Sequence, residues 1–98
     1  MPLKIDPEGR EIRALRRVTT WRGKRVLDVG CGDGRLSLRL AGLGADVLAI
    51  DPQPRLIRAA RKSLPQKFAT RIRYRVGSAE RLPRRSGPFD VVVFSWTL

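Results

Sequence analysis

The sequence predicts an α/β fold with a doubly wound, mainly parallel sheet, and three observations support this. Segments rich in valine and isoleucine alternate along the chain with segments whose apolar residues recur at helical spacing. A turn with three glycines directly follows the first strand segment and precedes a helix. Strands that alternate with helices pair in parallel through right-handed crossovers. We expect four strands in the order third, second, first, fourth, with flanking helices.

Each element follows from its local pattern. Helices are predicted where apolar residues share one face, and strands where apolar residues alternate with polar ones or form a short run. In chain order, the prediction is a helix from Glu8 to about Thr20, a strand from Val26 to Val29, a helix from Arg35 to Leu43, a strand from Asp46 to Asp51, a helix from about Pro54 to Leu64, a strand from Arg71 to Val76, a loop from Gly77 to Pro88 and a strand from Phe89 to Phe94.

The last two strands differ in the cover that they need. The segment 71–76 alternates apolar residues with arginine, which is typical of an edge strand with one solvated face. The segment 89–94 is nearly all apolar, yet the expected order places it at the opposite edge. An apolar edge is a hazard for pairing or aggregation. We therefore predict that this strand meets another chain, as a homo-oligomer or with a partner, or that the protein alone is marginally stable.

Composition excludes several kinds of chemistry. The 98 residues include one cysteine, Cys31, and no histidine. An internal disulfide, a zinc site and histidine-based catalysis are therefore excluded, and no metal site is predicted. No apolar run approaches the length of a membrane span, and the first residues lack the apolar stretch of a signal peptide. We expect a cytoplasmic location and no membrane partner.

The charge of the chain is strongly unbalanced. The formal net charge is +12, and arginine supplies 17 of the 21 basic residues. Such a surface attracts phosphates and acidic partners. No alternation of aromatic and basic residues and no nucleic-acid motif accompanies the charge along the sequence. A solvated arginine-rich surface is therefore favoured, and nucleic-acid binding stays an alternative.

The glycine-rich turn carries the strongest functional signal. Asp28 lies inside the first predicted strand, ahead of glycines at positions 30, 32 and 34. Glycine allows a tight turn and lets a ligand approach the backbone, and the start of the following helix presents N–H groups that favour a negatively charged group. Asp28 can accept a hydrogen bond from an ammonium group. A ligand that combines an ammonium, a carboxylate and a nucleoside fits this mixture.

Two further segments end predicted strands. Asp51 follows Gly30 by 21 positions, and a carboxylate there can accept two hydrogen bonds from a ribose diol. Gly77 to Pro83 follows the third strand, where backbone groups and a polar side chain could read the edge of an adenine.

Other interpretations of these residues stay open. Dinucleotide-binding turns also follow a strand, although their glycines are spaced G-x-G-x-x-G and the third glycine here comes one position earlier. A thiol is reactive only beside an activating group, and none is assigned to Cys31, which is expected to be a small loop residue. The structural alternatives are that Asp51 caps the helix after Pro52, that Asp33 caps the helix after the glycine turn, that Glu80 pairs with a neighbouring arginine such as Arg81, and that Trp21 and Trp96 are packing residues.

These motifs resemble those of the class I S-adenosylmethionine-dependent methyltransferases, which have a Rossmann-like fold. The resemblance extends from about residue 20 to residue 98 and corresponds to the front half of that domain. It implies that the glycine turn wraps the methionine part of the cofactor and that Asp51 holds the ribose. It also places the segment 78–80 beside the adenine, although the family often has aspartate where Ser78 stands, and makes the segment 95–98 the start of a substrate-facing loop. The implied cofactor-binding residues are Asp28, Gly30, Cys31, Gly32, Gly34, Asp51, Pro52, Ser78, Ala79, Glu80 and Ser95.

The resemblance implies methyl transfer from S-adenosylmethionine to an unidentified acceptor, which we expect to be a small molecule. Methyl transfer needs no covalent protein intermediate, and no general base is assigned, so the catalytic residues are unknown. The alternatives are a non-catalytic S-adenosylmethionine-binding or interaction module, or an NAD-binding domain. We expect one domain over residues 1–98, incomplete at its C-terminus, with a helix and lead-in at 1–22 and a cofactor-binding core at 23–98.

Overall fold

The protein forms one parallel sheet with two helices packed on one of its faces. The structure, a computed structural model, describes residues 2–4 and 16–95. Its strands and helices are β1 (Pro2–Lys4), β2 (Arg25–Val29), α1 (Arg35–Gly42), β3 (Asp46–Asp51), α2 (Pro54–Lys62), β4 (Ile72–Val76) and β5 (Val91–Phe94). Residues 16–18 are helical, and the part of the predicted first helix at 8–15 lies outside the described residues. Short 3-10 turns cover Gln66–Phe68, Ala79–Arg81 and Arg84–Ser86.

The predicted strand order is confirmed. The sheet runs β1-β5-β2-β3-β4, so the four predicted strands occur in the order third, second, first, fourth. All pairs are parallel, with Val26 opposite Val47 and Val91, and with Asp51 opposite Val76. This register brings the carboxyl ends of four strands to one edge of the sheet, where the predicted functional segments begin.

The N-terminal strand β1 corrects the prediction that the last strand lies at an open edge. Pro2, Leu3 and Lys4 pair in parallel with Val92, Val93 and Phe94. This strand was not predicted, because three residues are too few for a periodic pattern. The backbone groups of β5 that would face another chain are thus paired within the molecule.

Removal of β1 is expected to restore the hazard predicted for this edge. A variant that lacks residues 1–5 exposes the backbone of β5, and an unpaired apolar strand is a template for association. We expect the variant to form dimers or larger species in a concentration-dependent way, as measured by size-exclusion chromatography with light scattering. If the variant and the parent chain have the same association state over a hundredfold concentration range, β1 has no protective role.

The core lies between the sheet and the two helices. Alternate residues of the strands face the helices and are almost fully buried there, and helices α1 and α2 contribute their apolar faces. Trp21 is 2% exposed and belongs to this core, as predicted, whereas Trp96 lies outside the described residues. The main members of the core are Trp21, Val26, Leu36, Leu40, Val47, Ala49, Ile57, Ala60, Ile72, Tyr74, Val91 and Val93.

Strands β4 and β5 differ in how their two faces are covered. Strand β4 is an edge strand whose Ile72 and Tyr74 are buried and whose Arg73 and Arg75 are exposed, as its alternation indicates. Strand β5 buries Val91 and Val93 against the helices, but Val92 and Phe94 on the other face are only partly covered. Within residues 2–4 and 16–95, no helix has the length and apolar content required to cross a bilayer.

Candidate functional site

The site is built where four parallel strands end, because hydrogen bonds fasten the segment after each strand to its neighbour. The N–H groups of Gly30 and Cys31 donate to the carbonyl of Ile50 at 2.9 and 3.0 Å. The N–H of Gly77 donates to the carbonyl of Asp51 at 3.0 Å, and that of Ser95 donates to Val29 at 3.1 Å. The segments after β2, β3, β4 and β5 therefore form one continuous rim.

The glycine turn between β2 and α1 depends on backbone conformations that favour glycine. Gly30, Gly32 and Gly34 have φ angles of 75, 58 and 89°. A Cβ on Gly32 would meet nothing within 4 Å, so the turn is open to a ligand at this point. A Cβ on Gly34 would come within 2.8 Å of Cζ of Tyr74. Gly34 therefore serves the close packing of the start of α1 against β4.

Asp51 connects the end of β3 to the glycine turn. One carboxylate oxygen accepts a hydrogen bond from the N–H of Gly32 at 3.0 Å, and the other accepts from the N–H of Gln53 at 2.9 Å. The N-cap residue of α2 is Gln53, so Asp51 supports the lead-in to the helix without being its cap residue. Each carboxylate oxygen keeps a further lone pair, and the side chain is 7% exposed. Asp51 can thus hold the turn and still accept hydrogen bonds from a ligand.

Asp28 lies beneath the turn and is completely buried. Its two oxygens accept hydrogen bonds from the hydroxyls of Ser37, at 2.7 Å, and Ser95, at 2.6 Å. Burial raises the pKa of Asp28 from 3.8 to about 6, although both serine hydrogen bonds act in the opposite direction. In this structure both oxygens of Asp28 face hydroxyl groups, and its contact with a ligand ammonium stays a prediction.

Ser95 links this buried carboxyl to the rim. Its Oγ lies 2.6 Å from Asp28 and 3.0 Å from the carbonyl oxygen of Gly30. A hydroxyl has one proton to donate, so it serves one of these acceptors at a time. Because Ser95 also lines a cavity at the rim, a ligand there can influence Asp28 through Ser95.

Two adjoining cavities lie along the rim, each of about 430 Å³. Gly30, Asp51 and Gln53 line both cavities, so the two meet at the end of β3. The first cavity extends past Pro52 to the segment after β4, and the second surrounds the glycine turn and reaches Ser95. Of the predicted cofactor-binding residues, the two that line neither cavity are Asp28 and Gly34. Those that line at least one are Gly30, Cys31, Gly32, Asp51, Pro52, Ser78, Ala79, Glu80 and Ser95.

Three carboxyl groups gather around the glycine turn although the chain is strongly basic: Asp33 and Asp51 line the second cavity together with Arg35, and Asp28 lies beneath it. The pKa of the Cys31 thiol is raised, first by burial and then by the negative charges of Asp28, Asp51 and Asp33. A thiol with a raised pKa is a poor nucleophile, which agrees with the prediction that Cys31 is a loop residue. The same carboxylates that disfavour a negatively charged thiolate attract a positive charge. The rim is therefore suited to a positively charged ligand group.

Two residues of the site were not identified from the sequence. Ser37 is a fully buried polar residue on the apolar face of α1, and this interruption of the helical pattern was the available signal. For Tyr74, the alternating pattern of β4 indicates only that the residue belongs to the core. Its hydroxyl is buried against Gly34 with no hydrogen-bond partner among the described residues, and burial raises its pKa. Only the packing of β4 against the start of α1 shows this contact.

The structure also bears on the alternative roles of Asp33 and Glu80. Gly34 is the N-cap residue of α1, and exposed Asp33 accepts only a long 3.4 Å contact from the N–H of Arg35. The helix cap predicted as an alternative for Asp33 is therefore weak. Glu80 is exposed, and the described part of the chain contains no ion pair between Glu80 and Arg81.

Residues 26–98 match the sequence pattern of a family described as a methyltransferase domain. The chain is also 42% identical over 85 residues to a ubiquinone biosynthesis O-methyltransferase of Azorhizobium caulinodans, a match that covers 87% of this chain and 32% of that protein. A ubiquinone biosynthesis O-methyltransferase of Xanthomonas oryzae is 48% identical over 71 residues, or 71% of this chain and 29% of its own length. The chain thus spans about a third of the length of these curated relatives.

Solved structures give the same result for the fold. The magnesium protoporphyrin IX methyltransferase of Synechocystis, crystallised with S-adenosylmethionine, superposes with a TM-score of 0.72 at 26% identity, over 85% of this chain and 39% of that one. A TehB-like S-adenosylmethionine-dependent methyltransferase of Corynebacterium glutamicum superposes with a TM-score of 0.68 at 32% identity, over 85% of this chain and 42% of that one.

Proposed function

The chain belongs to the methyltransferase domain family, and on that premise we propose that it binds S-adenosylmethionine along the rim and supplies the cofactor-binding half of a methyltransferase. The observation that carries this proposal is the meeting of two cavities at Asp51. Together their volumes lie within the range of small-molecule sites. Such a shape accommodates a ligand whose central sugar separates an amino-acid part from a base.

The residues present fit each part of this cofactor. Asp51 lies at the junction and has lone pairs for the hydroxyls of a ribose. The open backbone at Gly32 and the hydroxyl of Ser95 face the cavity proposed for the methionine part. Ser78 and the turn that follows it line the cavity proposed for the adenine. When bound, the cofactor supplies a methyl group on a positively charged sulfur.

The charge at the rim separates this proposal from an NAD-binding domain. A dinucleotide carries a negatively charged pyrophosphate, which the carboxylates around Cys31 would repel. S-adenosylmethionine carries a sulfonium and an ammonium, which the same carboxylates attract. The rim therefore favours the cationic nucleoside.

Binding to S-adenosylmethionine is tested by calorimetry on two matched aspartate variants. Asp51 and Asp46 lie at opposite ends of β3, and Asp46 is outside the proposed site. Loss of hydrogen bonds to a charged carboxylate costs about 1.5–3 kcal/mol, so we expect Asp51→Asn to weaken binding about tenfold to a hundredfold. Asp46→Asn is expected to bind like the parent chain. Equal affinities of both variants, or binding of NAD without any response to S-adenosylmethionine, would show that the proposal is wrong.

Methyl transfer is the second part of the proposal and needs its own assay. We propose a small-molecule acceptor, which is supported by relatives named for ubiquinone biosynthesis, and a cytoplasmic location, which rests on the sequence expectations above. Transfer of a radiolabelled methyl group to cell extract measures the activity directly. Binding of the cofactor without any transfer would instead support a non-catalytic module that binds S-adenosylmethionine.

A further inference from the structure

The face of the sheet opposite the helices carries a groove lined by arginines. Its volume is about 500 Å³, and none of its lining residues lines either cavity of the rim. The structure brings together here residues from distant parts of the sequence. The charged and aromatic residues of this arginine groove are Arg25, Arg71, Arg73, Arg75, Arg85, Asp46 and Phe89.

Strand β4 sets a regular spacing of charge in the groove. Arg73 and Arg75, with Arg71 just before the strand, alternate with the buried Ile72 and Tyr74. Residues two apart on a strand lie about 6.6 Å apart on the same face. This repeat is comparable to the separation of successive phosphates along an extended nucleic-acid strand. A single phosphate could use only part of such a row, whereas a chain of phosphates could use all of it.

Two of the arginines are held in place by the surrounding structure. Arg25 lies over the ring of Phe89, with its guanidinium carbon 5.7 Å from the ring centre, and donates to the carbonyl of Ser86 at 3.2 Å. Arg71 donates to the carbonyl of Gly44 at 3.1 Å and lies 3.7 Å from Asp46. Guanidinium planes and an aromatic ring offer stacking surfaces for unpaired bases.

We propose that the arginine groove binds single-stranded nucleic acid. Five guanidinium groups face one carboxylate, that of Asp46, so the groove is strongly positive. The bases of a duplex are stacked internally and cannot contact Phe89, so the aromatic ring in the groove favours an unpaired strand. The sequence showed no aromatic and basic pattern because the fold assembles it from β2, β4 and the segment before β5.

The proposal is tested with two double variants that change the net charge equally. Arg73→Glu with Arg85→Glu alters exposed positions in the groove, and Arg55→Glu with Arg58→Glu alters exposed positions on α2. Each pair lowers the net charge of +12 by four. The probe is a fluorescein-labelled oligo(dU) whose anisotropy is measured over a range of salt concentrations.

We expect the groove variant to bind the oligonucleotide at least about tenfold more weakly. The slope of the logarithm of its binding constant against the logarithm of the salt concentration should become smaller by about one to two. The α2 variant is expected to stay within about threefold of the parent chain. Both should take up S-adenosylmethionine like the parent chain, which shows that they are folded and that the two sites are separate. If both double variants bind the oligonucleotide equally weakly, the effect comes from the net charge of the chain and the proposal is wrong. Equal affinity for a duplex of the same length, or for polyglutamate, would overturn the assignment to single strands.

Discussion

Replacement of Gly34 by alanine is expected to destabilise the protein by about 3 kcal/mol, whereas the same change at Gly32 is expected to cost about 1 kcal/mol. Both glycines have positive φ angles, so both variants carry backbone strain. Only at Gly34 does the new methyl group also collide with the ring of Tyr74. The difference between the two variants therefore contains the collision together with the larger backbone strain at Gly34, whose φ of 89° lies outside the left-handed region that Gly32 occupies at 58°.

Urea unfolding followed by circular dichroism measures this difference. A single domain is stabilised by only about 5–15 kcal/mol, so the Gly34 variant loses a large fraction of its stability and about 15 °C in Tm. If Gly34→Ala and Gly32→Ala unfold at the same urea concentration, the contact between α1 and Tyr74 does not constrain the turn.

The Tyr74→Phe variant provides an internal control for the same contact. Its hydroxyl is the atom nearest to the added methyl group and has no hydrogen-bond partner among the described residues. Alone, the substitution should be neutral or slightly stabilising, because it removes a buried polar group that is not satisfied. Combined with Gly34→Ala, it should recover at least about 1 kcal/mol of the loss, which a double-mutant cycle measures.

Replacement of Asp28 by asparagine is expected to change how stability depends on pH. In the native state Asp28 keeps its proton up to about pH 6, whereas its ordinary pKa is 3.8. Between these values the native state binds more protons than the unfolded chain, so the contribution of Asp28 to stability decreases as the pH rises. The rise in the pKa of Asp28 from 3.8 to about 6 corresponds to about 3 kcal/mol. Above pH 6 the ionised carboxyl group lowers the free energy of unfolding by this full amount.

The asparagine side chain carries no charge, so this cost should disappear in the variant. We expect Asp28→Asn to be more stable than the parent chain by up to about 3 kcal/mol at about pH 7.5 and nearly equal to it at about pH 4. The measurement is the difference in unfolding free energy between the two proteins at several pH values, in which the titration of the other groups cancels. A difference that does not vary with pH would show that Asp28 titrates normally.

The same substitution should weaken the proposed binding of S-adenosylmethionine, because it removes one of the negative charges at the rim. Stability and binding would then change in opposite directions. Such a trade-off between stability and binding is typical of a buried charge that is retained for function. Asp46→Asn is the matched control, since Asp46 is exposed and lies at the far end of β3.

The order of elements and the location of the site could be predicted from the sequence, because both depend on local patterns. Apolar residues at a period of two or near 3.6 identify the strands and helices, and the alternation of the two dictates parallel pairing. Parallel strands bring their carboxyl ends to one edge, so Gly30, Asp51 and Ser78 were expected together before any distance was known. The predicted strand order, which is that of the doubly wound fold implied by the resemblance, was confirmed as well.

The contacts of the site could not be predicted, because they join residues that only the sheet register brings together. Ser95 reaches Asp28 across 67 positions, and Tyr74 meets Gly34 only because β4 packs beside the start of α1. The pairing of β1 with β5 joins the two ends of the described chain, and three residues contain no period from which to infer it.

The sequence by itself thus determined the type of fold, the glycine turn and the acidic residue at the end of β3, since each is encoded within a few neighbouring positions. Only the tertiary structure decided that Asp28 is buried between two hydroxyls and that the arginines of β4 form a groove with Arg25 and Phe89. The physical reason is that burial and charge clustering are properties of residues close in space, and the distance along the chain does not limit them.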